Sequence, residues 1–361
     1  MAITELDIGG AEKAFVRVAE GLLRRGWDVR VISLRDAGPM AEPLRRAGIP
    51  VTALNAGGFL DVRAILRMKK SLLENPCDVL LTFLHQANIA GRIAGRWAKI
   101  PSIICGVRVA DRRWSVIIPE RLTSGLVDQY VAVSESVGDV HRRLCHLPPE
   151  RMMAIPNGVD TDAIRQVAAV DRRLIGCQAS DKIVLCAGRL SHQKAPMDVL
   201  HAFQKLTQQS AVDLRSVKLV FIGDGPLLPE MKRFVQLHGL QDHVQFPGWR
   251  PDVWGIMKAS DLFVLASHWE GLPNVILEAQ AAGLPVLASD VDGCRELVTD
   301  GVTGRLFRAG NVQQLATVLA EALKCPKTLQ TSAAAIANVE QNYRWDVCVE
   351  RFDEMLLKHV H

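Results

Sequence analysis

The stretch Leu262-Phe263-Val264-Leu265-Ala266-Ser267-His268-Trp269-Glu270-Gly271-Leu272-Pro273-Asn274-Val275-Ile276-Leu277-Glu278-Ala279 decides how this chain reads. Its first five residues are all apolar, as expected of a strand covered on both faces by helices. A polar loop follows, then Pro273 and Asn274, which suit the start of a helix, and then an apolar helical run. In open α/β sheets, ligands bind where strands end at their carboxyl side. The amides of a helix start, at its positive dipole end, form a ready phosphate site, and Gly271 lets backbone approach a ligand closely. Glu270 stands just before that helix, where a carboxylate can accept hydroxyl hydrogens. Glu278 falls among Val275, Ile276, Leu277 and Ala279, and a carboxylate in such company usually has a hydrogen-bonding task or a perturbed ionisation. The blander readings are a solvated helix face for Glu278 and a dipole-stabilising acid for Glu270. Taken with the loop they accompany, the two carboxylates favour a site.

Working outward, the same alternation of short apolar runs and amphipathic stretches fills the chain, the signature of βαβ units and parallel sheets. The first half predicts strands near Asp28–Ser33, Ile49–Leu54, Asp78–Leu84, Ser102–Val107 and Gln129–Val133, with helices at Ala11–Arg25, Asp61–Leu73, Asn88–Ala98 and Glu135–Leu144. The rhythm breaks at Ile155-Pro156-Asn157-Gly158-Val159-Asp160, a turn signal, and restarts after Asp181. The second half predicts strands near Ile183–Ala187, Lys218–Ile222, His243–Phe246, Leu262–Ala266 and Pro285–Ala288. Its helices are expected at Met197–Thr207, Leu228–Leu237, Val275–Ala282 and Gln313–Leu323, and a last amphipathic segment spans Trp345–Lys358. The expected organisation is two Rossmann-like domains, residues 1–160 and 161–344, with 345–361 as a C-terminal helix. Only Met1-Ala2-Ile3 precede Thr4 and the glycines Gly9-Gly10, so the first strand is expected to be very short or truncated.

Three further sites stand out. Cys186-Ala187-Gly188-Arg189-Leu190-Ser191-His192-Gln193-Lys194 follows the first strand of the second domain; Arg189 offers a planar fork and Lys194 a point charge, suited to adjacent phosphates. Asp7-Ile8-Gly9-Gly10-Ala11-Glu12 is a glycine loop leading into a helix, able to present amides to an anion. His85, in Thr82-Phe83-Leu84-His85-Gln86-Ala87-Asn88, is expected at a strand end. Gly223-Asp224-Gly225-Pro226 lacks the third glycine of a dinucleotide fingerprint and reads as a tight strand-to-helix turn.

Composition narrows the class. The 361 residues are 48% hydrophobic and 23% charged, those of an ordinary globular protein. No apolar run reaches the roughly 18 residues of a membrane span, and the acids near Met1 argue against a signal peptide. The chain is therefore expected to be cytoplasmic, with the inner face of the membrane as an alternative address. Eight scattered cysteines without a C-x-x-C pair read as reduced structural thiols. Net charge is +4; residues up to Asp160 hold 22 Lys and Arg against 17 Asp and Glu (+5), and the remainder 21 against 22 (−1). Doublets such as Arg24-Arg25, Arg112-Arg113 and Arg142-Arg143 give the first half its excess, which suits an anionic lipid surface or phosphorylated substrate, or else a solvated face. Nucleic acid is not expected, because the bases lack an aromatic platform or a binding module.

Together these motifs resemble the retaining nucleotide-sugar glycosyltransferases of family 4 (group 1). Glu270 to Glu278 is similar to the family's E-x7-E signature, set in the phrase E-G-L-P-N-V-I-L-E-A. Gly188-Arg189…Lys194 resembles its diphosphate element, Gly9-Gly10-Ala11-Glu12 its N-terminal glycine loop, and Pro156-Asn157-Gly158-Val159-Asp160 its interdomain turn. The resemblance spans nearly the whole chain, with the motifs in family order. It implies the α/β GT-B fold: two Rossmann-like α/β/α domains facing across a central cleft, the C-terminal helix crossing back to the first. It implies that the second domain holds a nucleoside-diphosphate sugar while the first binds the acceptor. Arg189 and Lys194 would neutralise the leaving diphosphate, and Glu270 with Gly271, Leu272, Pro273 and Asn274 would hold donor sugar and phosphate. Glu278 would bond the ribose hydroxyls, Gly188, Gly9 and Gly10 would serve the donor phosphates, and His85 would lie near the transferred sugar. The expected activity is metal-independent transfer to an acceptor hydroxyl, on a glycan, a lipid-linked or a small molecule, with retention and no cofactor. A UDP-sugar is the favoured donor, with GDP- and ADP-sugars as alternatives and the base-reading residues expected after Phe246-Pro247-Gly248-Trp249-Arg250. Peripheral membrane contact would come through the basic first domain. Competing readings are a nucleotide-sugar-binding protein with little transfer, because of the short N-terminus, and a GT-B epimerase.

Overall fold

The computed structural model describes residues 1–58, 61–109, 111, 113–207, 214–324 and 328–360, the side chains of 328–331 excepted. Arg112 and Cys325 lie outside these residues. The chain forms two compact units: Met1–Gly158 together with Trp345–His361, and Val159–Arg344.

The first unit is built on a parallel sheet of strands β1 (Ala2–Ile3), β2 (Val31–Ser33), β3 (Val51–Ala53), β4 (Val79–Phe83), β5 (Ser102–Val107), β6 (Gln129–Ala132) and β7 (Met152–Ala154). Their spatial order is β3-β2-β1-β4-β5-β6-β7. Although only two residues long, β1 pairs on both sides, Ala2 with Ile32 and with Thr82. Order reverses between β1 and β4, so the segments following these two strands flank the switch point. The helix Trp345–Leu357 belongs to this unit and packs on the helix Gly10–Arg24; a Cβ on Gly21 would fall 2.4 Å from Val349, so only glycine permits that approach. Phe15 meets Phe83 edge-on at 5.4 Å, and Phe352 lies 6.2 Å from Phe83. Trp27 Nε1 donates to Asp353 at 2.7 Å, fastening the same helix at its polar margin.

The second unit repeats the plan with β8 (Lys182–Ala187), β9 (Val217–Ile222), β10 (Val244–Gly248), β11 (Leu262–Leu265), β12 (Val286–Ser289) and β13 (Arg305–Phe307). All are parallel, in the order β10-β9-β8-β11-β12-β13. Ile183, Val184, Leu185, Phe263 and Val264 are almost wholly buried, because helices cover both faces, which is why these strands read as unbroken apolar runs. Here the reversal lies between β8 and β11. The segments after those strands are Gly188–Ala195 and Ser267–Pro273, the richest motifs of the sequence. This is an α/β protein of two Rossmann-like units, the GT-B fold class.

Candidate active site

In the second unit, two loops meet at the switch point. Gly188 has φ +146°, a conformation that L side chains rarely adopt. Beneath it lies the Gly223-Asp224-Gly225 turn: a Cβ on Gly223 would stand 2.0 Å from Gly188 O, and one on Gly225 2.3 Å from Leu190 O. Leu190 N donates to Asp224 O at 2.9 Å, so the glycine turn is the floor of the Arg189 loop as well as a turn into a helix. Arg189 is exposed and makes no ion pair with any described residue. After the short turn His192–Lys194, Pro196 opens the helix Pro196–Thr207, where its missing N–H costs nothing.

Lys194 reaches across to the second loop. Its Nζ donates to Glu270 Oε1 at 2.6 Å, and Ser267 Oγ donates to the same oxygen at 2.6 Å. Glu270 is nearly buried, its side chain 6% exposed. Ser289 Oγ at the end of β12 donates to Ser267 O at 2.6 Å. His268 N donates to Gln193 O at 2.8 Å, and Gln193 Nε2 donates back to Trp269 O at 3.2 Å. The two loops are thus laced together before any ligand arrives. Gly293 completes the support: its Cβ would fall 2.3 Å from Gly271 O, so the helix Asp292–Arg295 presses its backbone against the loop. Pro273 caps the helix Asn274–Ala281, whose first-turn amides carry the positive dipole end. Half-buried Glu278 lies four residues beyond Asn274, one turn further on the same side. Two cations, helix amides and two carboxylates are therefore carried by the segments that follow β8 and β11, the central strands of the sheet, with Lys194 and Glu270 in direct contact. Such a set can bind a diphosphate and the hydroxyls attached to it.

In the first unit, Gly9 precedes the helix Gly10–Arg24 in extended conformation, without a side-chain cap. Glu12 folds back over Gly9; a Cβ there would lie 2.1 Å from Glu12 Oε2. Burial pushes the Glu12 carboxyl above its usual range. Thr4, just after β1, accepts at its Oγ1 from Ala87 N at 3.2 Å, tying the glycine segment to the segment after β4. His85 is not the last residue of a strand: β4 ends at Phe83, and His85 is the first residue of a helix that runs to Trp97. The expected start at Asn88 is too late, because the turn is made by Leu84 alone, at φ +72° and ψ 147°. Asn88 is buried, accepting from Thr82 Oγ1 at 2.7 Å and donating to Gly106 O at 3.0 Å.

Sequence reasoning missed the charged group below this turn. Arg92 is fully buried, and its guanidinium donates to Glu120 Oε1 at 2.7 Å, to Thr123 Oγ1 at 3.0 Å and to Asn88 O at 3.1 Å. Glu120, on the helix Trp114–Thr123, is 1% exposed. Burial opposes its charge, but the neighbouring His141, His85 and Arg92 outweigh it and hold the carboxyl far below the usual range. The spacing of His85, Asn88 and Arg92, three and four residues apart on one helical face, was the available signal. Arg108, also missed, donates to Asn157 of the Pro156–Asp160 turn, and burial pushes it down to about 10. No group of three or more His, Cys, Asp or Glu among the described residues is arranged to hold a metal ion.

Known proteins share this plan. Residues 171–340 match the family model of glycosyl transferases group 1, and residues 8–163 match that of glycosyltransferase family 4. The chain is 26% identical over 337 residues to the UDP-Gal:alpha-D-GlcNAc-diphosphoundecaprenol alpha-1,3-galactosyltransferase of Escherichia coli, covering 86% of this chain and 84% of that one. It is 26% identical to the D-inositol 3-phosphate glycosyltransferase of Thermobispora bispora, covering 98% and 92%. The crystal structure of Anabaena Alr3699/HepE with UDP-glucose superposes with a TM-score of 0.82 over 99% of this chain and 100% of that one, at 22% identity.

Proposed function

Since the chain belongs to the group 1, family 4 glycosyltransferases and is a transferase, we propose that it moves a sugar from a UDP-sugar to an acceptor hydroxyl with retention of configuration and without a metal. The observation that carries the reading is the pair of interlocked loops at the reversal between β8 and β11, with Lys194 and Ser267 fixing Glu270 and Arg189 left exposed. Negative charge builds on phosphate oxygens as the nucleoside diphosphate departs, and preorganised cations and amides stabilise it as it forms. Arg189 and Lys194 take that role. Gly188 and residues Gly271–Asn274 admit the phosphates and sugar, Glu278 bonds the ribose, and Gly9, Gly10 and His85 serve the chemistry from the first unit. The names of the galactosyltransferase and of the UDP-glucose complex support uridine as the base.

For the acceptor, we infer a lipid-linked glycan, as in the Escherichia coli relative's name. No helix among the described residues is long and apolar enough to cross a membrane. The helix Trp114–Thr123, however, exposes Trp114, Ile118 and Leu122 at 67%, 51% and 80%, four residues apart and therefore on one face. That stripe, flanked by Arg113 and Arg121, gives the basic first unit an apolar edge for peripheral membrane contact. Sedimentation with anionic vesicles, lost in a Trp114→Ser/Leu122→Ser variant, tests it.

The deciding experiment is thermal stabilisation by UDP, GDP and ADP and their sugar conjugates, with Arg189→Ala and Glu278→Ala alongside. A ligand that binds only the native state raises its stability with ln(1 + [L]/Kd). UDP compounds should raise the wild type and neither variant; a larger shift with GDP or ADP compounds overturns the uridine assignment. Product anomers read by NMR test retention, and turnover unchanged by EDTA tests metal independence.

A further inference from the structure

Leu84 and Glu120 hold His85 from two sides. Leu84 has φ +72° and ψ 147°, a region close to one reserved for glycine. A branched residue persists there only when its surroundings over-determine it, and such outliers concentrate where a side chain must be presented in one direction. The residue presented is His85. Its Nδ1 lies 3.7 Å from Glu120 Oε2, within ion-pair range though longer than a hydrogen bond.

The carboxylate is itself immobilised. Its other oxygen, Oε1, accepts from Arg92 at 2.7 Å and lies 3.5 Å from His141 Nε2. Arg92 is in turn fixed by Asn88 O and Thr123 Oγ1, and its guanidinium stands 5.7 Å from the Tyr130 ring. Among the other titratable neighbours, Cys105, Cys145 and Tyr130 are kept neutral, since burial pushes all three above their usual ranges. The buried charge of Glu120 therefore faces the Nδ1 edge of His85 where water screens little, while Asp111, held ionised chiefly by its bond from Arg113, is a second carboxylate that acts on the ring electrostatically.

We infer that Glu120 is a positioning residue for His85: it holds the proton of the neutral imidazole on Nδ1 and fixes the ring's orientation. A carboxylate next to one ring nitrogen favours N–H at that nitrogen, which leaves the other as the lone-pair atom. The inference rests on the reading of His85 as a group that serves sugar transfer, but its structural half stands separately.

The test has two arms. In the first, 15N-correlated NMR of the histidine side chains in the intact wild-type protein, with His85 assigned by its absence in His85→Asn, reads the tautomer at pH 8. The expected result is the Nδ1–H form; a predominant Nε2–H form overturns the inference whatever any variant does. In the second, UDP-glucose turnover is compared in wild type, Glu120→Gln, Glu120→Asp and His85→Asn. Loss of the carboxylate partner of a metal-bound histidine typically costs about 10- to 100-fold, and a fall of the same order is expected for His85. Glu120→Gln should lower kcat by that factor with KM for UDP-glucose within about twofold, and Glu120→Asp should recover part of the loss. Equal falls in kcat for both variants with a risen KM, or a wild-type kcat in Glu120→Gln, overturn the inference. Full turnover by His85→Asn instead overturns the reading of His85, while the tautomer still reports on Glu120.

Discussion

On the proposed function Lys194 has two tasks, holding Glu270 and meeting the diphosphate, and Arg189 only the second, so their variants should separate accordingly. Lys194→Ala leaves Glu270 nearly buried with Ser267 as its remaining donor of the two, which should cost about 1–3 kcal/mol and a few degrees in Tm. Arg189→Ala removes an exposed side chain and should leave stability within about 0.5 kcal/mol. Both should lower UDP-sugar turnover by about 100-fold or more, as loss of a charge-stabilising group does. Melting curves beside turnover rates check the contrast. A pH dependence follows from Glu120, whose folded carboxyl is held below its ordinary range. An unfolded glutamate takes up its proton near pH 4.3 while the folded one stays ionised, so the unfolded state binds more protons below that pH. The contribution is complete above about pH 4.3 and declines as pH falls below it. Acid melts between pH 7 and 3 should be steeper for wild type than for Glu120→Gln. None of these pairings was legible from residue spacing: Lys194 and Glu270 stand 76 residues apart and Arg92 and Glu120 stand 28 apart, so only the strand order brings them together.

The helix Asp292–Arg295 shows how an element can serve a site without touching it chemically. Gly293→Ala would drive a Cβ into Gly271 O at 2.3 Å, backbone against backbone, and overpacking of this kind costs about 1–3 kcal/mol. Because the strain falls on the Gly271–Asn274 loop, KM for UDP-sugar should rise; Gly125→Ala, which meets nothing within 4 Å, should change neither KM nor Tm. Strands and helices were legible wherever periodicity was long and uninterrupted. Ser102–Val107 and Leu228–Leu237 have their expected bounds, and the helix Asn274–Ala281 begins one residue early. Elements that escaped had weaker signals. β7 is three residues at a sheet edge, half-buried throughout, and β13 is equally short, with exposed Arg305 at its start. The helix Trp114–Thr123 contains Pro119 and turns apolar residues outward, so it breaks both the punctuation and the burial rules by which helices are read. β1 spans only Ala2–Ile3, and yet it sits at the centre of its sheet: strand length carries no information about strand position.

At the scale of the whole molecule, each unit closes its own apolar core, and each core carries cysteines. Cys105, Cys145 and Cys348 lie in the first unit, and Cys177, Cys186 and Cys294 in the second; all six are buried and unpaired. Burial pushes the Cys348 thiol up to about 11 and those of Cys145 and Cys294 to about 12, so the reactive thiolate is scarce as well as sheltered. These six thiols can react with an alkylating reagent only when their surroundings open. The chain thus contains two sets of internal clocks, one in each unit. Peptide mapping of a timed alkylation should return one opening rate from each set, and saturating UDP-sugar should slow Cys294, close to Glu270, more than Cys105. Equal slowing of both sets would mean that the two units open together. A protein with no engineered label can in this way report, unit by unit, where its ligand's binding energy has gone.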